Sequence, residues 1–392
     1  MIHSFKFSNI ASFKKDNNFD LTWARKDNSD DTLANSKLPN VKVSKVATII
    51  GPNASGKSNL LRGIAFLQYW IVDAWRLAPE TPVSDSSIKY RCIPYTFADN
   101  ADQHFECVFE TKKSVYKIEL KLKKWFAVSE AIFIRSKTEE RVTWKKLFSL
   151  SDLTSSELPF LRSNASILFV KSRLMDVNAL DIIDFWATVY TRILPMGGLN
   201  QSSFDMNRVT ALTRYVQNKE DLDFLNDILH QFDPTGLHLK VEESISPNGE
   251  KQMEAKGEVH IDGKTHIVPY YSDGSLKLID YAYMMAETLK KWGVLVFDEL
   301  DSNFHPEFVD KIMDYYQSKK NNPDNAQLIF TTQNPRVLNR LNKYQIFFVE
   351  KDKNWVSSLD RLDQIEGVTV RSDDNYYAKY MAGVYGAKPV FD

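Results

Sequence analysis

The chain has 392 residues, 43% of them hydrophobic, so it is long enough to bury a large core and to form two or three subdomains. Its 50 basic residues nearly balance 51 acidic ones, which excludes a strong overall field as the means of attracting nucleic acid or a membrane and leaves only local patches for such contacts. Two cysteines without CxxC spacing argue against a disulfide framework or zinc site, and the absence of a leader-like segment or of about 18 consecutive apolar residues predicts a soluble cytoplasmic protein.

Short alternating segments dominate the chain as far as about Phe148 and predict strands. These segments are SFKFSNI, KVATIIG, HFECVFE, VYKIELKL and AIFIRS. One helical stretch, SNLLRGIAFLQYWIVDAW, interrupts them and follows KVATII through a glycine-rich turn. This order predicts a unit of strand, loop and helix.

The period becomes helical between about Ser151 and Phe232. Ile182, Trp186, Val189 and Ile193 fall on one helical stripe, and DLDFLNDILHQF follows with the same period. We therefore predict a helical insertion over residues 151–235.

The remainder of the chain predicts first an antiparallel unit and then a parallel sheet. LHLKVEE, AKGEVHID and HIVPYY have the pattern of strands, with turns at SPNGEK and IDGKT. A helix of about five turns, SLKLIDYAYMMAETLKKW, precedes three apolar runs, VLVFD, AQLIFTT and YQIFFVE, which alternate with helical stretches. Such alternation favours a parallel sheet covered on both faces.

A phosphate-binding loop is indicated by GPNASGKSN, which fits G-x-x-x-x-G-K-[ST] between an apolar strand and a helix. Successive backbone N–H groups of such a loop converge on phosphate oxygens, and the helix N-terminus adds partial positive charge. Lys57 is expected to reach the β and γ phosphates of ATP, and the Ser58 hydroxyl to ligate Mg²⁺. The predicted binding residues are Gly51, Pro52, Asn53, Ala54, Ser55, Gly56, Lys57, Ser58 and Asn59.

Two adjacent acids, Asp298 and Glu299, end the apolar run VLVF. Carboxylates at the edge of a core require a positive partner or hydrogen bonds. We expect this run to lie beside the P-loop strand, with Asp298 holding the magnesium ion and Glu299 acting as general base toward the attacking water. The alternative is a pair of acids at a helix N-terminus.

The turn SDGS, which opens the helix before the acidic run, resembles the signature of ABC-type ATPases, in particular of their SMC-like soluble branch. The resemblance implies that Ser272, Gly274 and Ser275 bind the γ phosphate of ATP held by the opposite subunit of a dimer. A plain helix N-cap is the alternative for this turn. The following LDSNFHPEF resembles the segment that crosses the dimer interface in these ATPases, with Asp301 as the dimer-loop residue. His305 fits either this interface or the start of a helix.

Gln333, in LIFTTQNP, departs from the family's pattern, which often has a γ-phosphate-sensing histidine at this position. Glutamine can hydrogen-bond phosphate or orient water, but it neither titrates nor carries charge, so slow hydrolysis is expected. Gln103 is a candidate for the family's Q-loop glutamine, although an ordinary loop glutamine fits this position better.

Both ends of the chain, MIHSFKFSNIASF and DDNYYAKYMAGVYGAKPVFD, resemble those of RloA-like ATPases of bacterial anti-phage loci. That resemblance implies a defence role of the abortive-infection type, and a partner nuclease or other effector encoded nearby.

Three other functions have weaker support in the sequence. NKED at 218–221 and DPTG at 233–236 resemble GTPase motifs but occur in reversed order, and NKED fits a helix cap better. A nuclease within the chain lacks support, because the seven histidines show no metal spacing. KIELKLKKWF could bind nucleic acid or a protein, but its alternating lysines are more typical of a solvated strand face.

The sequence therefore predicts an α/β P-loop NTPase of ABC/SMC type, with a mixed sheet, an antiparallel β subdomain and a helical insertion. The predicted domains are an N-terminal ATPase lobe over 1–150, the insertion over 151–235 and a C-terminal lobe over 236–392. The predicted function is ATP hydrolysis with ATP-dependent dimerisation that controls an effector. An SMC-like role in DNA repair or DNA-structure sensing, and an ATP-gated scaffold with little turnover, are the alternatives.

Overall fold

The structure is a computed structural model. It describes residues 1–23, 32–76, 101–123, 126–135, 143–161, 165–193, 218–232, 236–245, 249, 251–268, 273–302 and 305–388, with the backbone alone for 76, 232, 252–255 and 273–277. Within these ranges no helix combines the length and the apolar composition needed to cross a lipid bilayer.

The strands are short and occur throughout the chain. They are β1 Ile2–Ser8, β2 Asn17–Asp20, β3 Thr22–Trp23, β4 Leu33–Asn35, β5 Lys42–Ser44, β6 Val46–Ile50, β7 Gln103–Glu110, β8 Val115–Lys123, β9 Phe126–Arg135, β10 Trp144–Ser149, β11 Val189–Arg192, β12 His238–Ile245, β13 Lys251–Ile261, β14 Lys264–Val268, β15 Val294–Phe297, β16 Gln327–Thr331, β17 Ile346–Lys351 and β18 Ser357–Arg361.

The α-helices alternate with strands in the second half of the chain. They are α1 Lys57–Val72, α2 Ile167–Arg173, α3 Val177–Trp186, α4 Lys219–Phe232, α5 Asp273–Lys291, α6 Pro306–Gln317 and α7 Tyr376–Met381.

A six-stranded sheet forms the centre of the protein, in the order β11-β15-β16-β6-β17-β18. All its neighbouring strands are parallel except β17 and β18, which form an antiparallel hairpin. Successive residues of β6 enter different cores, since Ala47 and Ile49 pack in one cluster and Val46 and Ile50 in another. The predicted sheet with both faces covered is confirmed.

A second six-stranded sheet, antiparallel, has the order β10-β9-β8-β7-β1-β2. Gln327, at the start of β16, joins the two sheets: its Nε2 donates to the Ile2 carbonyl at 3.0 Å and its Oε1 accepts from the Ile2 N–H at 2.9 Å. In β8, Ile118, Leu120 and Leu122 are buried while the intervening charged residues are half-exposed. The lysines of this strand thus lie on a solvated face, as the alternation indicates.

The single helical stripe predicted from Ile182 to Ile193 is wrong. The helix α3 ends at Trp186, and the Thr188 hydroxyl donates to the Phe185 carbonyl at 2.7 Å where the chain leaves it. Residues Val189–Arg192 then form β11, which pairs in parallel with β15. The segment 151–235 therefore contributes an edge strand to the central sheet as well as helices, and its limits as a domain stay a prediction.

The predicted antiparallel unit after the insertion is confirmed as the three-stranded sheet β12-β13-β14. Asp262 and Gly263 form the two-residue turn between paired Ile261 and Lys264, with positive φ of 50° and 75°. At the start of α4, Asn218 Oδ1 accepts from the Glu220 N–H at 3.0 Å, which is the helix cap favoured for NKED.

Candidate nucleotide-binding site

The turn between β6 and α1 has the close backbone approaches that its glycines make possible. A Cβ on Gly51 would lie 2.1 Å from the Val349 carbonyl oxygen, so a side chain there would collide with the backbone of β17. Gly56 has φ of 119°, and a Cβ on it would lie 2.6 Å from Ser357 Oγ. Both positions therefore require glycine.

Lys57, the first residue of α1, folds back over this turn. Its Nζ donates to the Gly51 carbonyl at 2.8 Å and to the Pro52 carbonyl at 2.9 Å. Burial lowers the pKa of the ammonium, while the nearby carboxylates of Asp298, Glu299 and Asp301 oppose that shift. The ammonium is thus held at the loop by carbonyl dipoles and can exchange them for phosphate oxygens.

Asp298 lies at the carboxyl end of β15 and is 4% exposed. Its Oδ1 accepts from Ser58 Oγ at 3.1 Å and from Thr331 Oγ1 at 2.7 Å. The structure thus brings together the hydroxyl and the carboxylate that the sequence assigned to one magnesium ion.

The expectation that the acidic strand neighbours the P-loop strand is wrong. The strand β16 lies between them and pairs in parallel with both β15 and β6. Because β16 ends in Thr331, whose side chain is short and polar, Asp298 and Ser58 still meet across this strand.

Glu299 adopts a left-handed backbone conformation, with φ of 53°. Such a conformation costs about 1–3 kcal/mol for a non-glycine residue and requires support from its surroundings. The Glu299 N–H donates to Thr331 Oγ1 at 2.7 Å, and Gln333 Nε2 donates to Glu299 Oε1 at 3.3 Å. The backbone N–H of Gln333 also donates to Asp301 Oδ2, at 3.2 Å.

Lys57, Ser58, Glu299 and Gln333 line one cleft of about 400 Å³. The lining residues are Asn53, Ala54, Ser55, Gly56, Lys57, Ser58, Asn59, Arg62, Glu299, Gln333 and Lys351.

Two basic residues of the cleft, Arg62 and Lys351, were not predicted to lie there, although the sequence positions of both indicate it. Arg62 follows Ser58 by four residues and so lies on the same helical face. Lys351 ends the apolar run of β17, and in a parallel sheet the carboxyl ends of strands meet at one edge. Arg62 donates to Asn59 Oδ1 at 2.7 Å, and burial lowers the pKa of both Arg62 and Lys351.

A group of hydrogen bonds among polar side chains connects the P-loop to neighbouring segments, and it was not predicted from the sequence. Ser357 Oγ donates to the Ser55 carbonyl at 2.5 Å and lies within hydrogen-bond distance of Ser12 Oγ, at 2.7 Å, while Asn59 Nδ2 donates to Ser12 Oγ at 2.9 Å. These bonds join the N-terminal segment and the hairpin of β17 and β18 to the loop. No sequence motif signals the two contacts of Ser357, because they link residues more than 300 positions apart.

The signature lies partly beyond the described residues. Ser272 is outside them, and Gly274 and Ser275 belong to the first turn of α5, where the backbone alone is described. The helix spans 19 residues, in agreement with the predicted five turns.

The structure also locates His305 and Gln103. His305 caps α6, its Nδ1 accepting from the Glu307 N–H at 3.4 Å, so the helix-start interpretation is observed and the interface role stays a prediction. Gln103 is buried in β7 and does not line the cleft. The Q-loop glutamine is therefore not located among the described residues.

The sequence family described as "AAA domain, putative AbiEii toxin, Type IV TA system" matches residues 46–339, which is more than half of the chain. The chain belongs to this family of AAA domains. The matched part of this AAA domain begins at β6 and includes the P-loop, both acids and Gln333. Together with the sheet order, this membership confirms the predicted α/β P-loop NTPase fold with its mixed sheet and antiparallel second sheet.

Solved structures of SMC heads are similar to this AAA domain at low identity. One, described as the SmcHead bound to the C-winged helix domain of ScpA, is 15% identical, with a TM-score of 0.46 and coverage of 93% of this chain and 98% of that chain. The SMC head domain from Thermotoga maritima is 13% identical, with a TM-score of 0.47 and coverage of 92% and 98%. The Smc head with an extended coiled coil bound to the C-terminal domain of ScpA, from Pyrococcus furiosus, is 13% identical, with a TM-score of 0.46 and coverage of 92% and 95%. None of the curated proteins compared matches the chain.

The residues of the AAA domain fit a nucleoside triphosphate with Mg²⁺. The Ser58 hydroxyl and the Asp298 carboxylate are the oxygen ligands that this ion prefers. Ser55 is 2% exposed, and its Oγ has no hydrogen-bond partner among the described residues, although the residue lines the cleft. Lys57, Arg62 and Lys351 supply positive charge where the phosphates would lie.

Proposed function

We propose that the protein binds ATP with Mg²⁺ in this cleft and hydrolyses it. The observation that carries the proposal is the hydrogen-bonded connection from Ser58 through Asp298 and Thr331 to Glu299. The Asp298 carboxylate and the Glu299 N–H bond to the same threonine hydroxyl. Asp298 also bonds to Ser58 of the P-loop, and Glu299 lines the cleft together with the loop. If the two acids only capped a helix, a hydrogen bond between one of them and the P-loop serine would not be expected.

Binding is assigned to the loop and to the start of α1. Backbone N–H groups of the loop and of the first turn of α1 would donate to phosphate oxygens, as in other glycine-rich loops that precede a helix. In the structure the Ser55 N–H donates to the Pro52 carbonyl at 3.2 Å and would exchange that bond for a phosphate oxygen. Lys57 would exchange the carbonyls of Gly51 and Pro52 for the β and γ phosphates. Ser58 and Asp298 would hold the magnesium ion, which when bound neutralises charge that develops on the phosphates during transfer.

Hydrolysis is assigned to Glu299. Its carboxylate would accept a proton from the attacking water at Oε1 or Oε2, and Gln333, bonded to Oε1, would orient the carboxylate or the water. Thr331 fixes the backbone of Glu299 in its strained conformation. Since Gln333 carries no charge, we expect slow turnover, which also keeps the ATP-gated scaffold with little turnover as the second candidate.

The second part of the proposal is a dimer that closes on ATP. In it, Ser272, Gly274 and Ser275 of one copy would contact the γ phosphate in the other, and Asp301 would lie at the interface. The support is the order of signature turn, 19-residue helix α5 and acidic strand, together with the resemblance to ABC-type ATPases. ATP would favour the closed state because it has more contacts there than in the open form.

The third part is control of an effector by this cycle. The support is the resemblance of the chain ends to RloA-like ATPases and the description of the family, which refers to a toxin of a type IV TA system. We propose that the closed dimer activates or restrains a partner protein of anti-phage defence, a nuclease or another toxic effector encoded nearby. A TOPRIM or HNH nuclease gene beside this one would support that role, whereas a repair exonuclease would favour DNA repair.

The experiment that tests the hydrolysis is the Glu299→Gln variant. We expect it to bind ATP with Mg²⁺ as the wild type does and to hydrolyse it at least about a hundredfold more slowly, because general base catalysis contributes about 10²–10⁴-fold. Lys57→Ala is expected to lose nucleotide binding itself. Glu220→Gln, at an exposed position in the first turn of α4 and outside the cleft, is the matched control and should keep the wild-type rate. An unchanged rate in Glu299→Gln would remove Glu299 from the mechanism.

A further inference from the structure

The hairpin of β17 and β18 contains two residues, Lys351 and Trp355, that have no role in the proposed hydrolysis. Lys351, at the end of β17, lines the cleft. Trp355, in the turn of the hairpin, is 62% exposed, which is unusual for so large an apolar side chain. Lys351 Nζ lies 5.1 Å from the centroid of the Trp355 ring, so the indole is next to a residue that lines the cleft, although Trp355 itself does not line it.

Three hydrogen bonds fix the backbone of the turn that contains Trp355. Asp352 Oδ1 accepts from the N–H groups of Asn354 and Val356 at 2.9 and 2.8 Å, and the Trp355 N–H donates to the Asp352 carbonyl at 3.0 Å. Trp355 itself has a φ of 63°, a conformation that a bulky residue adopts at a cost. The indole is therefore presented to solvent from a fixed backbone.

The hairpin is also attached to the P-loop at its other strand. Ser357, the first residue of β18, donates to the Ser55 carbonyl at 2.5 Å and contacts the hydroxyl of Ser12. With Lys351 in the cleft and Ser357 under the loop, both strands of the hairpin are joined to the phosphate site. The position of Trp355 is thus coupled to that of the P-loop.

The order of the sheet determines on which side of the loop a base would lie. Asp298 and Glu299 follow β15, Gln333 follows β16, and the P-loop follows β6, while β17 and β18 come next in the sheet. A triphosphate whose γ phosphate faces Glu299 therefore points its nucleoside away from β15 and β16, toward the hairpin. Within the described part of this hairpin turn, Trp355 is the aromatic side chain.

We propose that Trp355 is the stacking surface for the base of the bound nucleotide, with Lys351 on one face of the indole and the base on the other. The proposal rests on the assignment of ATP to the cleft. Stacking tolerates any base because every base has a π face, so Trp355 would set affinity rather than choose between bases. Removing such a stack is expected to weaken binding of a nucleotide roughly 5- to 150-fold.

The test compares two ligands by calorimetry, ATP and inorganic tripolyphosphate, each with Mg²⁺. Trp355→Ala should bind ATP roughly 5- to 150-fold more weakly than the wild type and tripolyphosphate equally well. Trp355→Phe keeps an aromatic face and should retain most of the affinity for ATP. Phe126→Ala is the control. It removes another exposed aromatic side chain, at the start of β9 in the antiparallel sheet, and should leave both affinities unchanged.

The results separate this proposal from the function on which it rests. If the wild type binds ATP and Glu299→Gln stops hydrolysis, an unchanged ATP affinity in Trp355→Ala overturns the stacking alone. If Trp355→Ala loses affinity for ATP and for tripolyphosphate equally, the stacking proposal is also overturned, because Trp355 would then only support the phosphate site. A wild type that binds neither ligand overturns both proposals.

Discussion

The Thr331 hydroxyl donates a hydrogen bond of 2.7 Å to Asp298 Oδ1 and accepts one of 2.7 Å from the Glu299 N–H. One side chain of β16 thereby fixes the carboxylate assigned to the metal and the backbone of the residue assigned as base. Thr331 is itself fully buried, so neither bond is exchanged for one to bulk water.

Replacing Thr331 by valine keeps the shape of the side chain and removes both bonds. A buried polar group that loses its partner costs about 1–3 kcal/mol. We expect Thr331→Val to reduce the rate of ATP hydrolysis roughly 5- to 150-fold, the equivalent of that free energy, and to weaken ATP binding less. Steady-state hydrolysis and calorimetric titration measure the two effects.

Two variants serve as controls for this prediction. Thr331→Ser retains the hydroxyl and should recover most of the rate. Thr332→Val removes the neighbouring hydroxyl, which accepts from the Asn334 N–H at 2.9 Å, and should change the rate much less. If Thr331→Val and Thr332→Val reduce the rate of ATP hydrolysis equally, the role proposed for the two hydrogen bonds of Thr331 is wrong.

The parallel sheet and the P-loop could be predicted because apolar runs of four to six residues end in polar residues, and the carboxyl ends of parallel strands share one edge. The order of the strands could not be predicted. The runs of β15 and β16 are both entirely buried, so their composition does not show which of them pairs with β6. Thr331 was overlooked for the same reason, since its position between Asp298 and Ser58 depends on that order.

The wrong helical stripe has a different cause. Ile182 and Trp186 are spaced as in a helix, and Val189 continues that spacing by coincidence after the chain has turned at Thr188. A four-residue strand is too short to show its own period. Contacts between distant parts of the chain, such as that of Ser357 with Ser12, leave no periodic signal at all.

Gln333 is expected to tune hydrolysis rather than binding. Its Nε2 donates to Glu299 Oε1, so Gln333→Ala should slow hydrolysis roughly tenfold by leaving the carboxylate less well oriented, with ATP affinity nearly unchanged. Gln333→His restores the residue type common in the resembling family. Because histidine titrates near pH 6.5, this variant should acquire a dependence of rate on pH around that value.

The Gln333→Ala variant also distinguishes the enzyme from the scaffold alternative. If Gln333→Ala and the wild type both hydrolyse ATP at the background rate of the buffer, while ATP still drives association, the protein is a scaffold. A measurable wild-type rate that falls in Gln333→Ala supports the enzyme.

Closure of the dimer can be separated from binding through the signature. Ser272→Arg places a bulky cation where the γ phosphate of the opposite copy would be recognised, and we expect it to abolish ATP-dependent dimerisation while the monomer still binds ATP. Size-exclusion chromatography with light scattering, on a Glu299→Gln background, measures the association. Ser318→Arg, at the end of α6, is a control of the same kind at a site without a proposed role. If Ser272→Arg still dimerises with ATP, the signature is wrongly assigned.

Glu130 predicts a dependence of stability on pH that is independent of the nucleotide site. The carboxyl group is buried in β9 and accepts from neutral donors, namely Trp70 Nε1, Ser166 Oγ and the Ile167 N–H, at 3.3, 2.5 and 2.9 Å. Burial raises its pKa to about 7, although these hydrogen bonds oppose the shift. In the unfolded chain the same group has a pKa near 4.3.

Because the folded pKa is the higher one, the folded state binds the proton more tightly. The stability contributed by this proton is complete below the unfolded pKa and is lost as pH rises through about 7. The complete loss is on the order of 4 kcal/mol, at about 1.4 kcal/mol for each unit of pKa difference. Urea unfolding of the wild type and of Glu130→Gln at about pH 5 and pH 8 measures it, since glutamine does not titrate. The wild type should lose stability relative to the variant on going to the higher pH, and a constant difference between the two proteins would show that Glu130 does not take up a proton on folding.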